Sequence, residues 1–202
     1  MVNRKGAGYH AAKPEGGFAS ATAIRKHLSS QQQKDYVPAG VADALGNGLT
    51  DPNIFPLIQS RVLGASEEEL SRIFSVGEGL ENRMKDQIRR SSDLDVFVAK
   101  VGSKRYPETR IRRILCQMLV GMTDFEDEYY ARLLAASSRG TALLKQIKKH
   151  SEIPVITNIN KEETLPQLMK YDILASDLYN ILAGNDLYKK SDYVVHPFIQ
   201  KG

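Results

Sequence analysis

Cysteine is nearly absent from this sequence and tryptophan is absent altogether, with 1 Cys and 0 Trp among 202 residues. A single thiol, Cys116, cannot close an internal disulfide, so we expect a reducing compartment. It stands in an apolar run, Ile114–Val120, which predicts a buried side chain. No apolar stretch approaches the length of a membrane span, and Met1–Gly6 lacks the apolar core of a signal peptide. These absences predict a cytoplasmic protein.

Two families of sequence motif are missing as well. No Gly-rich loop ends in Gly-Lys-Ser/Thr, which excludes a P-loop. The 4 histidines are scattered, with no Cys or carboxylate at the spacing of a metal site, so each is interpreted as exposed or structural. We therefore predict no metal ligands, and the chain also shows no internal repeat or low-complexity segment.

The composition is that of a folded, mildly basic protein. Hydrophobic residues make up 42% and charged residues 26%, enough for a core in one large domain or two small ones. Lys plus Arg is 28 against 24 for Asp plus Glu, a net charge of +4. This excess is a weak indication of nucleic-acid binding, and the position of the charges matters more.

Hydrophobic periodicity and capping residues predict a mainly helical chain. Residues 1–20, rich in Gly and Ala, are interpreted as loop. Ser66 and Glu69 form a capping box, and Pro107 suits the first turn of the clearest helix. The predicted helices cover residues 21–30, 52–63, 67–76, 80–90, 92–101, 107–120, 139–149, 165–169 and 172–182.

A small β component follows. Residues 130–136 fit either a strand or a helix end, and residues 154–158 are β-branched and bounded by proline, as a short strand would be. With the helix between them they predict a βαβ-like unit, and the tail at 193–198 is expected to be extended. The predicted fold class is mainly α with a small β component (α+β), including a multi-helix C-terminal domain.

The predicted helix start at Ser20 is the first candidate site. Ser20 and Thr22 bring hydroxyls, free backbone N–H groups and the positive helix end together, and Arg25 adds a cation. Such a start suits a phosphate group. The alternative is an ordinary N-cap beside a solvated arginine.

The second candidate site is a basic block at residues 100–113. Basic side chains beside an aromatic ring can pair with phosphates and stack on a base. The alternative is a solvated helix face, although Glu108 is its one carboxylate against 6 cations. The residues predicted to contact RNA are Lys104, Arg105, Tyr106, Arg110 and Arg113.

Several blocks of the chain, taken in order, resemble the bacterial tRNA(Met) cytidine acetate ligases, which are related to the HIGH-type nucleotidyltransferases. The resemblance covers nearly the whole chain, and the combination of blocks is more specific than any one of them. The matching blocks are Arg4–His10, Ala19–Arg25, Gly77–Arg83, Lys104–Tyr106 with Thr109 and Arg110, Ile153–Ile156, Asp172–Asp177 and the tail at 192–197.

The resemblance implies a reaction and its partners. In such enzymes acetate attacks the α-phosphate of ATP, giving acetyl-adenylate and pyrophosphate, and the acetyl group then passes to N4 of the wobble cytidine of elongator tRNA(Met). ATP, with magnesium, would contact Arg4, Ser20, Thr22 and Arg25. Residues 1–32 would be a remnant of the nucleotidyltransferase domain, and residues 33–202 the helical, tRNA-binding C-terminal domain.

The same resemblance places the family's opening strand, histidine motif and nucleotide-binding segment ahead of the matching residues. The chain is therefore expected to be the C-terminal part of a larger enzyme, to carry no catalytic residues and to be inactive alone. Two alternatives stay open: a noncatalytic RNA-binding helical module, and an adenylyltransferase acting on a small metabolite. Only the first of these two would use the basic block.

Overall fold

The computed structural model describes residues 8, 11, 13–14, 17–26, 34–38, 53–124, 129–161 and 164–200. Contacts along the chain divide it into two compact units, Met1–Asp51 and Pro52–Gly202. The domain division expected from the resemblance, between residues 32 and 33, concerns function and stays a prediction. The predicted fold class, α+β, is confirmed.

In the first unit a short helix, α1, spans Ala21–Lys26. Ser20 caps it, because its hydroxyl oxygen accepts a hydrogen bond from the backbone N–H of Ala23 at 3.0 Å. The side chain of Ala23 is buried, so this turn of the helix packs against the rest of the unit. The prediction of a helix from residue 21 is confirmed, and its expected end at residues 27–30 lies outside the described residues.

The second unit opens with five helices, and their starts follow from local sequence. Ser66 and Glu69 exchange the two hydrogen bonds of a capping box, at 3.1 and 2.7 Å. Asp93 caps its helix by accepting from the N–H of Val96 at 2.9 Å. The helices are α2 at Phe55–Gly64, α3 at Glu67–Ser71, α4 at Leu80–Ile88, α5 at Leu94–Val101 and α6 at Glu108–Val120.

These helices enclose the larger hydrophobic core. Within this core the centroids of the Phe55 and Phe97 rings lie 6.1 Å apart, and the ring planes are tilted by 49°. Burial of each such side chain contributes about 1.5–3 kcal/mol, and truncating Phe97 to alanine would cost about 3–5 kcal/mol. The other fully buried large side chains of this core are Ile58, Val62, Leu70, Met84, Ile88, Val98, Ile111, Ile114, Leu115 and Met118.

Two short parallel strand pairs lie in the rest of the second unit. Strand β1, Ala131–Arg132, pairs with β3, Val155–Ile156, and helix α7, Ser138–His150, lies between them in sequence. This confirms the predicted βαβ-like unit. A second parallel pair, β2 at Ala135–Ser137 with β4 at Phe198–Gln200, was not predicted.

A smaller core joins β3 to the last long helix. Ile156, Ile159, Met169 and Ile173 are buried together, and Ile159 belongs to a 3₁₀ turn, Ile159–Lys161. The helix is α8, Gln167–Leu182, and it contacts α6.

The two helices predicted at 165–169 and 172–182 are in fact this one helix, α8, since Lys170 and Tyr171 carry no helix-breaking chemistry. A last short helix, α9 at Leu187–Lys190, was missed. The tail predicted to be extended over 193–198 instead turns at 192–194 and is a strand only from Phe198.

The prediction that Cys116 is buried is wrong. The buried face of α6 carries Ile111, Ile114, Leu115 and Met118, and a helix turns by about 100° per residue, so the residue after Leu115 points away from the core. Cys116 is exposed. None of the described helices is long and apolar enough to cross a membrane.

Candidate nucleic-acid interface

A strained turn ahead of α4 forms one side of the site. Ser75 and Glu78 adopt left-handed backbone conformations, with φ of 70° and 58°, although neither is glycine. Gly79 follows with φ of 77° and caps α4. Non-glycine residues rarely adopt positive φ, and such strain persists where surrounding contacts hold it. The turn is therefore fixed by its neighbours.

Tyr106, in the loop before α6, supplies those contacts. Its hydroxyl donates to the carbonyl oxygen of Gly77 at 3.0 Å, and only 7% of the residue is exposed. Its backbone N–H donates to the hydroxyl of Ser103 at 3.1 Å, and its carbonyl accepts from the N–H of Ser103 at 2.9 Å. The loop at 103–106 and the turn at 75–79 are thus joined through one side chain.

Arg110, in the first turn of α6, is held against the same two segments. Its guanidinium carbon lies 4.4 Å from the centroid of the Tyr106 ring, a cation–π contact. Its N–H groups reach the carbonyls of Arg105 and Ser75 at 3.3 and 3.4 Å. These contacts orient the guanidinium group, and no described carboxylate neutralises its charge.

The other cations of the block differ in how they are paired. Arg105 forms an ion pair with Glu78, and its side chain is 72% exposed. Arg112 pairs with Asp95 at 2.5 Å, and Lys100 donates to the carbonyl of Arg90. Lys104 and Arg113 are exposed, and the described residues give neither an ion-pair partner.

A shallow cavity of about 180 Å³ opens where these segments meet. Arg83 reaches its edge, and its guanidinium donates to the carbonyl of Val101 at 3.3 Å. The lining residues are Glu78, Gly79, Leu80, Arg83, Ser103, Arg105 and Tyr106. The arrangement provides a basic surface with a polar depression at its edge.

The sequence-predicted RNA contacts Lys104, Arg105, Arg110 and Arg113 lie in this one loop and helix start. The structure corrects the prediction that Tyr106 contacts RNA. Its ring packs in the core under Arg110 and is not available to stack on a base. Its observed contacts orient Arg110 and fix the strained turn. The part played by Gly77 was not predicted, since its only signal is the tight Gly77-Glu78-Gly79 sequence.

The candidate phosphate site at α1 is only partly described. The hydroxyl of Ser20 donates to the carbonyl of Ala11 at 2.5 Å as well as capping α1, and Ser20 is 1% exposed. Both of its hydrogen-bonding functions are thus used internally, which corrects the prediction that this hydroxyl meets a phosphate. Arg4 lies outside the described residues, as do the side chains of Thr22 and Arg25.

No cluster of three or more potential metal ligands occurs among the described residues.

A second group of charged side chains was missed by the sequence interpretation. Arg132, at the end of β1, pairs with Asp192 at 2.8 Å, with side chains only 22% and 17% exposed. The hydrogen bond to Asp192 raises the pKa of Arg132 further, so this arginine stays cationic. Tyr130 donates to Asp172 on α8, and burial followed by this bond raises the pKa of its hydroxyl. The partners are separated by 60 and 42 positions, and no local pattern connects them.

The fold of this chain is similar to one already known from solved structures. The chain superposes on TmcAL of Thermotoga maritima in its apo form with a TM-score of 0.82 and 21% identity, covering 100% of this chain and 55% of that one. A second structure of the same protein, bound with alpha-thio ATP, gives a TM-score of 0.78 and 20% identity over 92% and 52% of the two chains.

The sequence agrees with this fold. The profile of the family described as HIGH Nucleotidyl Transferase matches residues 1–193, and the chain belongs to that family. It is 36% identical over 174 residues to the tRNA(Met) cytidine acetate ligase of Staphylococcus haemolyticus, which covers 83% of this chain and 45% of that protein. It is 32% identical over 217 residues to the Clostridium novyi ligase, covering 99% and 53%. The chain spans about half the length of the curated relatives it matches.

Proposed function

We propose that this chain is the RNA-binding part of an ATP-dependent ligase that acetylates N4 of the wobble cytidine of elongator tRNA(Met). The curated relatives named above are tRNA(Met) cytidine acetate ligases, and a structure with the same fold has been obtained with an ATP analogue. The chain spans about half the length of those relatives, so we infer its part in the reaction from the residues on its own surface.

The observation that carries the proposal is the basic surface at the start of α6. Lys104, Arg110 and Arg113 extend from one loop and helix start without a described carboxylate partner, and Arg110 is oriented by Tyr106. Phosphate groups of RNA bind such cations and release the counterions they held. We propose that Lys104, Arg105, Arg110 and Arg113 contact the tRNA backbone.

The chemistry of the proposed reaction assigns the chain a positioning role. A carboxylate oxygen of acetate attacks the α-phosphorus of ATP and pyrophosphate leaves. The N4 amine then attacks the acetyl carbonyl and AMP leaves. The cytidine must be held at the activated acetyl group, and fixing the tRNA backbone reduces its freedom before the transfer. ATP, magnesium, and contacts of Arg4, Thr22 and Arg25 with the phosphates belong to this proposal.

The dependence of tRNA binding on salt tests the basic surface. Lys104→Gln and Arg113→Gln should each reduce the slope of log K against log salt by about 1, because each removes one phosphate contact. Lys189→Gln is the matched control, since Lys189 is exposed and already paired with Asp186. Unchanged slopes for both test variants would contradict the proposed surface.

A second assay separates the proposal from the alternatives. We expect no ATP–pyrophosphate exchange from the 202-residue chain alone, and tRNA acetylation once the remaining half of a relative is supplied. A noncatalytic RNA-binding module would give no acetylation under either condition. An adenylyltransferase for a small metabolite would bind tRNA weakly and would not respond to Lys104→Gln.

A further inference from the structure

A crevice lies beyond the carboxyl ends of the parallel strands β1 and β3. Leu133 and Leu134 follow β1, Thr157 and Asn158 follow β3, and all four line it. Residues of the segment at 192–197 also line the crevice, and the side-chain amide of Asn160 holds this segment by donating to the carbonyl of Tyr193 at 2.7 Å. In α/β units, ligands bind outside the carboxyl ends of parallel strands.

The charged residues that line the crevice balance each other. Arg132 and Asp192 both line it, and their 2.8 Å ion pair leaves no excess of either sign. The side-chain carbonyl of Asn158 accepts from the N–H of Asn160 at 3.0 Å, which leaves the amide NH₂ group without a partner among the described residues. Arg132 likewise has N–H donors beyond those facing Asp192. The crevice therefore offers N–H donors from Asn158 and Arg132 beside an acceptor, the carboxylate of Asp192.

The apolar and aromatic residues of the lining suit a planar ring. Leu133, Ile156 and Pro197 supply apolar surface, and Tyr193 and His196 are lining residues that are also exposed to solvent. Tyr193 is 46% exposed, so its ring is accessible in a way that the ring of Tyr106 is not. Lys148 on α7 donates to the hydroxyl of Thr157 at 3.0 Å and brings a cation near the opening.

The size of the crevice limits what it can hold. Its volume is about 110 Å³, whereas sites for whole drug-sized ligands occupy roughly 300–1,000 Å³. A nucleotide triphosphate is therefore too large, and a lone phosphate would meet the carboxylate of Asp192 in the lining. A heteroaromatic ring with donors and acceptors on its edge matches both the size and the polarity.

We propose that this crevice receives one unstacked base of single-stranded RNA, with Tyr193 stacking on the base face and Asn158 and Arg132 meeting the base edge. Proteins recognise splayed RNA bases by this combination of stacking and edge hydrogen bonds. The inference rests on the proposed RNA-binding function. It adds a base contact to the phosphate contacts of the α6 surface.

Binding of short RNAs by the full 202-residue chain tests the crevice. The probes are RNA hexamers carrying a fluorescent base analogue and a ribose-phosphate hexamer of equal charge that has no bases, with affinity measured by anisotropy. Tyr193→Ala should weaken hexamer binding about 10-fold without changing the salt slope, because stacking carries no counterion release. Tyr193→Phe should stay within about 2-fold of the parent chain, since it keeps the stacking ring.

Controls keep the result specific. Tyr188→Ala removes a tyrosine ring that is more exposed, at 70%, and lies on α9 outside the lining of the crevice, so it should leave binding unchanged. Asn158→Ala should lower the affinity for the RNA hexamer and leave the affinity for the base-free hexamer unchanged. Thermal unfolding of each variant separates lost binding from lost structure.

Failure of the crevice proposal can be distinguished from failure of the proposed function. If Tyr193→Ala and Asn158→Ala bind the RNA hexamer like the parent chain while Lys104→Gln still lowers the salt slope, the crevice proposal alone is wrong. Equal affinity for the RNA and base-free hexamers would overturn it in the same way. If the chain binds neither hexamers nor tRNA at low salt, the proposed function and the crevice proposal both fail.

Discussion

Arg110 rests on the face of Tyr106 while the hydroxyl of the same tyrosine holds the carbonyl of Gly77. One buried ring thereby connects a cation at the surface to a strained turn 29 residues earlier in the chain. The relationship explains how an aromatic residue contributes to a basic surface without meeting the nucleic acid, since its effect on binding passes through Arg110.

Replacing Tyr106 by phenylalanine should lower stability and largely spare RNA binding. The variant leaves the carbonyl of Gly77 without its partner, at a cost of about 1–2 kcal/mol, but keeps the ring under Arg110. Tyr106→Ala removes the ring as well and should cost about 3–5 kcal/mol. Urea unfolding with tRNA titration measures both effects. Equal loss of tRNA affinity in the two variants would show that the ring does not orient Arg110.

Neutralising Glu78 should strengthen RNA binding. Glu78→Gln removes the carboxylate with which RNA phosphates compete for Arg105, so Arg105 should bind a phosphate more tightly and the affinity for tRNA should rise. The pair is exposed, so its loss should change stability by less than about 1 kcal/mol. Glu152→Gln makes the same change of charge on an exposed residue outside the lining of the cavity. Weaker tRNA binding by Glu78→Gln than by this control would contradict the prediction.

The cap of α5 should make stability depend on pH in acid. The backbone N–H of Val96 and then the hydroxyl of Ser92 stabilise the carboxylate of Asp93 and lower its pKa below the usual 3.8. A lowered folded-state pKa adds stability that is present above 3.8 and is lost as the pH falls through the folded value. Asp93→Asn keeps a good N-cap without a titrating group. Its urea midpoint should fall less steeply than that of the parent chain below about pH 4, by linkage. If the urea midpoints of the two proteins fell in parallel with pH, Asp93 would not be the cause of the acid dependence.

Breaking the Arg132–Asp192 pair should destabilise the strand-bearing part of the second unit. Asp192→Asn keeps the shape but leaves a largely buried guanidinium uncompensated, at a cost of about 3 kcal/mol. Asp186→Asn breaks an exposed pair with Lys189 and should cost less than about 1 kcal/mol. Urea unfolding measures both. If the two variants were equally stable, the buried pair would not hold the 192–197 segment in place.

The elements foreseen from sequence are those whose causes are local. The Ser66–Glu69 capping box and the apolar stripe of α6 each act within a few residues, and these two helices start within one residue of the predicted positions. Helix α5 was predicted from residue 92 and begins at Leu94, because Asp93 is its N-cap. The β2–β4 pair was missed because Ala135-Ala136-Ser137 lacks β-branched residues and its partner strand lies about 60 positions away. Local propensity carries no information about such a pairing.

The candidate site divides in the same way. The density of Lys and Arg before α6 was visible in sequence, because the residues are contiguous. The burial of Tyr106 was not, since a tyrosine between charged residues resembles a surface residue until its hydroxyl is seen at Gly77. The crevice beside β1 and β3 depends on Arg132, Asn158 and Asp192 meeting across the fold, which only the structure reveals.

The exposure of Cys116 has a practical consequence. The chain contains 1 cysteine, so a thiol-reactive dye attaches at a single place. That place lies on the same helix as Arg110 and Arg113, 3 to 6 residues away along α6. An environment-sensitive fluorophore attached there would report the arrival of RNA at the helix without any engineered substitution, and the same unprotected sulfur would allow two copies of the chain to crosslink in air.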